Sequence, residues 1–355
     1  MKKILYVVLA FFIFVYALPI ITLGMKDISP SDTGNKQDAK EETERLTAID
    51  IWNQTLQNLS TEDVASAQQK SYDEKTYISV LIDGKVCDMT VGEYLVGVVA
   101  AEMPASFPIE ALKAQAVAAR SYMLHKIENG YTDQKHNGAQ LCDDYTHCTA
   151  FFDIKSGGKD LWGEEAEYYA QRIQAAVSDT DGVVAVSEGQ VIAAVFHSAS
   201  SDMTEDAENV WGVKYPYLVS VSSVGGSSSP NYYGTEVITQ NDFFKTIQTA
   251  YPKAFFGSDV SKWITNIRRT QSGGVLDLYV GGVLIKGTEI RSMFDLNSTN
   301  FNIEISNNEI VFTTVGTGHG VGMSQFGARE MALNGAYFDE IICHYYNGVQ
   351  LMVKN

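Results

Sequence analysis

From Ile4 to Met25 almost every position is apolar, and a run of roughly 20 such residues is what an α-helix needs to cross a hydrocarbon core. Lys2 and Lys3 precede the run, so the positive-inside rule places everything after Met25 outside the cytoplasm. A cleaved signal peptide has the same charged start and apolar middle. The run is long for that purpose and no A-x-A pattern follows it, so the expectation is a retained anchor over residues 1–25. The pattern then fades. Residues 26–75 are polar and charged and read as a linker or stalk, with Leu46, Ile49, Ile51, Leu56 and Leu59 recurring near helical spacing.

Dense patterning resumes at Tyr77, and residues 76–355 read as the folded region. Apolar alternation on both sides of Asp83-Gly84 predicts a β-hairpin, because that dipeptide tolerates the positive φ of a tight turn. Thr90-Val91-Gly92-Glu93 has the form of a capping box and opens a helix that Pro104 ends. An alanine-rich helix follows from about Pro108 to Asn129, closed by Gly130. A helix over 164–177, strands over 182–187 and 190–196, and a helix over 242–250 come next. Short β-type runs then fill 264–315, including 275–280 and 310–315. A last helix over 324–333 ends at Asn334-Gly335. Helices and strands alternate without a repeat. The fold class is therefore α+β, a mixed and two-lobed region with a groove between the lobes, preceded by the transmembrane helix and the linker.

Composition narrows the function. A chain of 355 residues that is 45% hydrophobic can fill a real core. Its 43 acidic and 26 basic residues leave a formal charge of −17, which repels phosphate backbones and excludes nucleic acid as a partner. Cys87 and Cys343 stand alone and read as buried small hydrophobes. His136, Cys142, His147 and Cys148 form an H-x5-C-x4-H-C cluster, the ligand types zinc prefers. Four protein ligands make a closed, structural site; a Cys142–Cys148 disulfide is the competing reading in an oxidising compartment.

Glu102 is the candidate acid. It sits at the carbonyl end of a helix among apolar neighbours, and both features raise a carboxyl pKa, as proton donation near neutral pH requires. An exposed glutamate at a frayed helix end is the plainer reading. Lys113 and Arg120 lie two turns apart on one face of the next helix, either as cations over a groove or as ordinary solvated charges. His197-Ser198-Ala199-Ser200-Ser201 follows a strand, where loops often hold ligands. No G-x-S-x-G elbow surrounds these serines, which argues against a hydrolase nucleophile. Gly316-Thr317-Gly318-His319-Gly320-Val321-Gly322 joins a strand to a helix but lacks the Gly-Lys-Ser/Thr of a nucleotide loop. Its glycines permit close approach of a bulky polymer to His319, with Ser324 and Gln325 as donors, or simply make a tight turn.

The runs AAEMPASFPIEALKAQAVAARSYML, FHSASSD and GTGHGVGMSQFGA together resemble the stage II sporulation protein D family, lytic transglycosylases of endospore engulfment. The likeness extends from about Tyr77 to the C-terminus. It implies that Glu102 is the catalytic glutamate and that Lys113 and Arg120 line a basic groove. Tyr215 or Tyr217 would be a groove tyrosine, with His197, Ser198, Ser200, His319, Ser324 and Gln325 near the glycan. Ser201-Asp202 replaces the two glycines usual in the family. The resemblance further implies denuded peptidoglycan strands as substrate and a 1,6-anhydro product. It also implies partnership with stage II sporulation proteins P and M and a single-pass location in the cell membrane, facing the mother-cell side of the engulfing septum. Zinc ligands are expected in only some relatives.

Overall fold

The computed structural model describes residues 71–130, 134–306 and 308–355. The expected membrane anchor and the linker helix around 46–59 lie outside the described residues. Among the described residues no helix is long and apolar enough to cross a membrane.

Among the described residues, regular structure begins inside the stretch expected to be linker. Ser71 and Glu74 close a capping box on α1 (Tyr72–Lys75), and the carboxylate of Asp181 accepts from the N–H groups of Tyr72 and Asp73. The hairpin of β1 (Tyr77–Ile82) and β2 (Lys85–Thr90) turns at Asp83 and Gly84, whose φ values of 48° and 76° are those a two-residue I′ turn requires. Thr90 and Glu93 form the capping box the spacing predicts, opening α2 (Val91–Glu102). Behind Pro108 runs α3 (Ile109–Glu128), whose Ala111, Ala114, Ala116, Ala118 and Ala119 are all buried. With no bulk beyond Cβ on these faces, neighbouring helices approach it closely, and it becomes the axis of the first hydrophobic core.

Strand β3 (Leu141–Cys142) joins β1 in parallel. Next come α4 (Ile154–Trp162), which periodicity did not predict, and α5 (Ala166–Ser178). Gly157 and Gly158 hide α4 in the sequence, since mid-helix glycine costs about 1 kcal/mol relative to alanine. Strand β4 (Val183–Ser187) pairs with β5 (Gln190–Val191). The single strand expected over 190–196 is broken: the chain leaves the ladder after Val191 and returns as β6 (Phe196–His197) in a different sheet. Helix α6 (Ala207–Trp211) follows.

A second core occupies the next segment. It comprises β7 (Tyr233–Thr239), α7 (Gln240–Ala250), β8 (Ile264–Arg269), β9 (Val275–Val280), β10 (Val283–Lys286), α8 (Gly287–Met293), β11 (Phe301–Ser306) and β12 (Glu309–Val315). Two three-stranded sheets, β11-β12-β7 and β10-β9-β8, enclose Phe243, Phe294 and Phe312, whose rings stack at 5.1 and 5.4 Å. The chain then rejoins the first core through β13 (Met323–Ser324), α9 (Gln325–Leu333), α10 (Phe338–Tyr345) and β14 (Gln350–Val353). Strand β13 lies parallel to β6, and β14 completes the sheet with β4. The β6–β13 pairing places the His197 loop against the Gly316–Gly322 loop, distant in sequence but adjacent in space. Cys343, expected to be buried, is exposed on α10, because Ile341, Ile342 and Tyr345 form the inward face of that helix.

Candidate active site

Glu102 is the last residue of α2 and opens onto a cleft of about 610 Å³. Its Oε1 accepts the Ala150 N–H at 3.1 Å and its Oε2 accepts the Gln325 amide at 3.4 Å. Burial pushes its carboxyl pKa up, and these two hydrogen bonds, which favour the anion, only partly offset that. The direction matches the expectation from sequence, but desolvation by the tertiary fold is the main cause. Ala100, Ala101 and the Met103–Ser106 segment form one part of the cleft surface. Leu161, Trp162 and Tyr169 come from the α4–α5 region, Ser198 from the β6 loop, Ser229, Pro230 and Asn231 from the loop before β7, and Gln325 and Phe326 from α9. The cleft is thus bounded by first-core elements and one loop entering the second core. Among the described residues no Lys, Arg or His side chain lines it.

That last point corrects the expected cationic face. Arg120 has no exposed surface: its guanidinium pairs with the buried Asp73 carboxylate and donates to the carbonyls of Val183 and Val177. Two turns of helix put Lys113 on roughly the same side, but it pairs with Glu110 at 3.1 Å and Asp179 at 3.0 Å, away from the cleft lining. Tyr217 is buried and its hydroxyl accepts from the Ala193 N–H, while Tyr215 packs half-buried against the first core, 5.6 Å from the Tyr217 ring. Neither tyrosine lines the cleft.

The serine–histidine segment is mostly structural. His197 is buried; its Nδ1 faces the Val321 carbonyl at 3.1 Å and therefore carries the proton, so Nε2 accepts from the Ser200 hydroxyl at 2.6 Å. Burial and the neighbouring His319 lower its pKa to about 3. With its Nδ1 held by a carbonyl rather than a carboxylate, and with neither residue lining the Glu102 cleft, this pair fastens two loops and is not a nucleophile and base. Ser324 is fully buried and caps α9 by accepting the Gly327 N–H, so it is not available as a donor to a ligand. From these two motifs Ser198, Gln325 and Phe326 reach the cleft.

The glycine loop packs against the protein itself. Gly318 has φ +106°, and a Cβ there would stand 2.9 Å from His197 Cβ; Gly322 has φ +71°, and a Cβ would stand 2.1 Å from the Val195 carbonyl oxygen. His319 lies between His197 and Trp211, with ring centroids at 5.6 and 5.2 Å, and borders a small cavity separate from the Glu102 cleft. Burial, with Arg291 nearby, lowers its pKa to about 4.

The histidine–cysteine cluster does assemble. His136 Nε2 lies 3.0 Å from His147 Nδ1 and 3.3 Å from Cys148 Sγ, and Cys142 Sγ lies 3.4 Å from His147 Nδ1. All four ligand atoms fall within 4.8 Å of one another, and both cysteines are free thiols. Zinc bond lengths of 2.0–2.3 Å imply ligand–ligand edges of roughly 3.3–3.8 Å in a tetrahedron, so the cluster has the size and donor chemistry to hold a metal ion. The Lys126 ammonium donates to the His147 carbonyl and ties this loop to the end of α3.

Trp162, Tyr169 and Phe326 were not predicted to belong to the site. Trp162 and Tyr169 flank a turn at Gly163 (φ 57°), and no local spacing distinguishes aromatic rings that pack inward from rings that face a cleft.

The family model for stage II sporulation protein matches residues 84–186, a span that includes Glu102 and the metal-type cluster. The chain is 38% identical to stage II sporulation protein D of Bacillus subtilis over 259 residues, 73% of each chain, and 37% identical to that of Bacillus amyloliquefaciens over the same share. It is also 24% identical over 308 residues to the amidase enhancer of Bacillus subtilis, covering 72% of this chain and 40% of that protein. The fold and site thus define a mixed α+β protein with one half-buried carboxyl in a cleft flanked by aromatic rings. This chain belongs to the stage II sporulation protein D family.

Proposed function

We propose that the chain is a peptidoglycan lytic transglycosylase that cuts glycan strands in sporulation engulfment, with Glu102 as acid and then base. The observation that carries this reading is the Glu102 carboxyl, pushed toward its protonated form by burial, in a cleft large enough for sugar rings. In the first step the protonated carboxyl donates to the glycosidic oxygen between N-acetylmuramic acid and N-acetylglucosamine, and the C1–O bond breaks. In the second, the carboxylate accepts the proton of the muramyl 6-hydroxyl as its oxygen bonds to C1. The product is a 1,6-anhydro sugar and no water is consumed, so one carboxylate suffices where glycosidases use two. Gln325 and the Ala150 N–H hold the carboxylate oxygens in place during both transfers.

Zinc in the His136, Cys142, His147 and Cys148 cluster fits this scheme as a structural ion, because four protein ligands leave no open position for water. An N-terminal anchor holding the catalytic region outside the cytoplasm, on the mother-cell side, brings it to the wall. A preference for denuded strands calls for an amidase acting first, with stage II sporulation proteins P and M as partners. The amidase enhancer relationship favours one second reading, a wall-binding scaffold without activity. Product masses from purified protein and denuded glycan separate these: anhydro ends support the transglycosylase, reducing ends indicate hydrolysis, and no products together with unaltered function in Glu102→Gln indicate the scaffold.

A further inference from the structure

We propose that Trp162, Tyr169 and Tyr168 form a stacking wall that takes the apolar faces of N-acetylhexosamine rings next to Glu102. This rests on the glycan reading above and extends it to residues outside every motif that carried that reading. Trp162 and Tyr169 line the same cleft as Glu102, with ring centroids 5.9 Å apart, and Tyr168 continues the row at 5.4 Å from Tyr169. Trp162 and Tyr169 pack against the edge of the first core but remain half-buried where they face the cleft, Leu161 in the same cleft is 55% exposed, and Tyr168 is 56% exposed. Contiguous aromatic surface left open beside an acid marks a ligand surface. A β-linked pyranose has axial C–H bonds on its faces and hydroxyl and acetamido groups at its rim. Ring faces suit the former, and Asn231, Ser198 and Gln325 in the same cleft suit the latter.

The wall is braced against the acid. Arg172 of α5 stacks on Tyr168 at 5.6 Å and donates to the carbonyls of Ala105 and Phe107, in the segment directly after Glu102. On α4, the absence of a side chain at Gly157 admits the Phe152 ring, which a Cβ there would meet at 2.7 Å, and Phe152 in turn packs edge-on to Trp162 at 6.1 Å. The mid-helix glycine that weakens α4 is thus what lets Phe152 support the wall.

The test is calorimetric titration of chitotetraose into full-length protein carrying Glu102→Gln, which keeps the cleft but stops turnover. Trp162→Ala and Tyr169→Ala in that background should each weaken binding about tenfold, with Trp162→Phe retaining most of it. Tryptophan emission should change on binding in the parent and not in Trp162→Phe. Affinities within about twofold of the parent in both alanine variants overturn the wall and leave the glycan reading standing. A parent that binds no chitotetraose overturns both. If Trp162→Ala does not fold, Tyr169→Leu and the exposed Tyr168→Ala take its place: weakened binding in both supports the wall, and unchanged binding in both overturns it.

Discussion

Replacing Arg120 with methionine separates two views of the alanine-rich helix. If Arg120 gripped substrate, its loss would weaken glycan binding and leave stability alone. The structure instead buries it completely against Asp73, which is 3% exposed, with four hydrogen bonds running to Asp73, Val183 and Val177. Methionine preserves much of the packing volume but leaves the Asp73 carboxylate without its cation in a dry interior. Breaking a buried pair from one side costs about 3–5 kcal/mol. For a domain of this size that corresponds to a drop in Tm of roughly 6–20 °C. Calorimetry or circular-dichroism melts measure it directly. Pairing Arg120→Met with Asp73→Leu should recover most of the loss, because an apolar pair leaves no orphan charge. An unshifted Tm in Arg120→Met, combined with weakened chitotetraose binding, would refute the structural role.

Three further outcomes are expected. Because burial raises the folded-state pKa of Glu102, its contribution to stability is full below the unfolded value of about 4.3 and is lost as pH rises through the folded value. Glu102→Gln should therefore raise Tm at pH 7 while abolishing turnover, with the gain disappearing at acid pH; a lower Tm at pH 7 contradicts this. His197 and His319 have folded pKa values lowered to about 3 and 4, so the stability they provide is present above the unfolded value of about 6.5 and falls as pH drops toward 4 and 3. An NMR titration that finds either imidazole protonating near 6.5 rules this out. Stripping metal with a chelator, or Cys148→Ala, should lower Tm and leave the product of any residual turnover unchanged, with about one zinc per chain by mass spectrometry; metal loss that stops turnover at constant Tm points to a catalytic ion.

Much of the local structure was legible because its determinants are neighbours in sequence. The Thr90–Glu93 capping box and the Asp83-Gly84 turn involve contacts within a few residues, and both form as their spacing predicts. The four metal-type ligands fall within one short loop, so their convergence could be anticipated too. Helix α4 was hidden because its glycines depress helix propensity, and its stability comes from packing of Phe152 and Trp162.

By itself the chain determined that a carboxyl would stand at the end of a helix between an apolar run and a proline, and that a histidine–cysteine loop would follow. It could not determine which charges would meet. Arg120 finds Asp73 across 47 positions and Glu102 finds Gln325 across 223, and neither pairing leaves a periodic trace. Whether a cation lines a groove or is sealed in a core depends on what packs over it, and only the tertiary structure brings α1 over α3 and α9 beside α2. The same packing supplies the desolvation that raises the Glu102 pKa, a property of its surroundings that its own neighbours in sequence do not set.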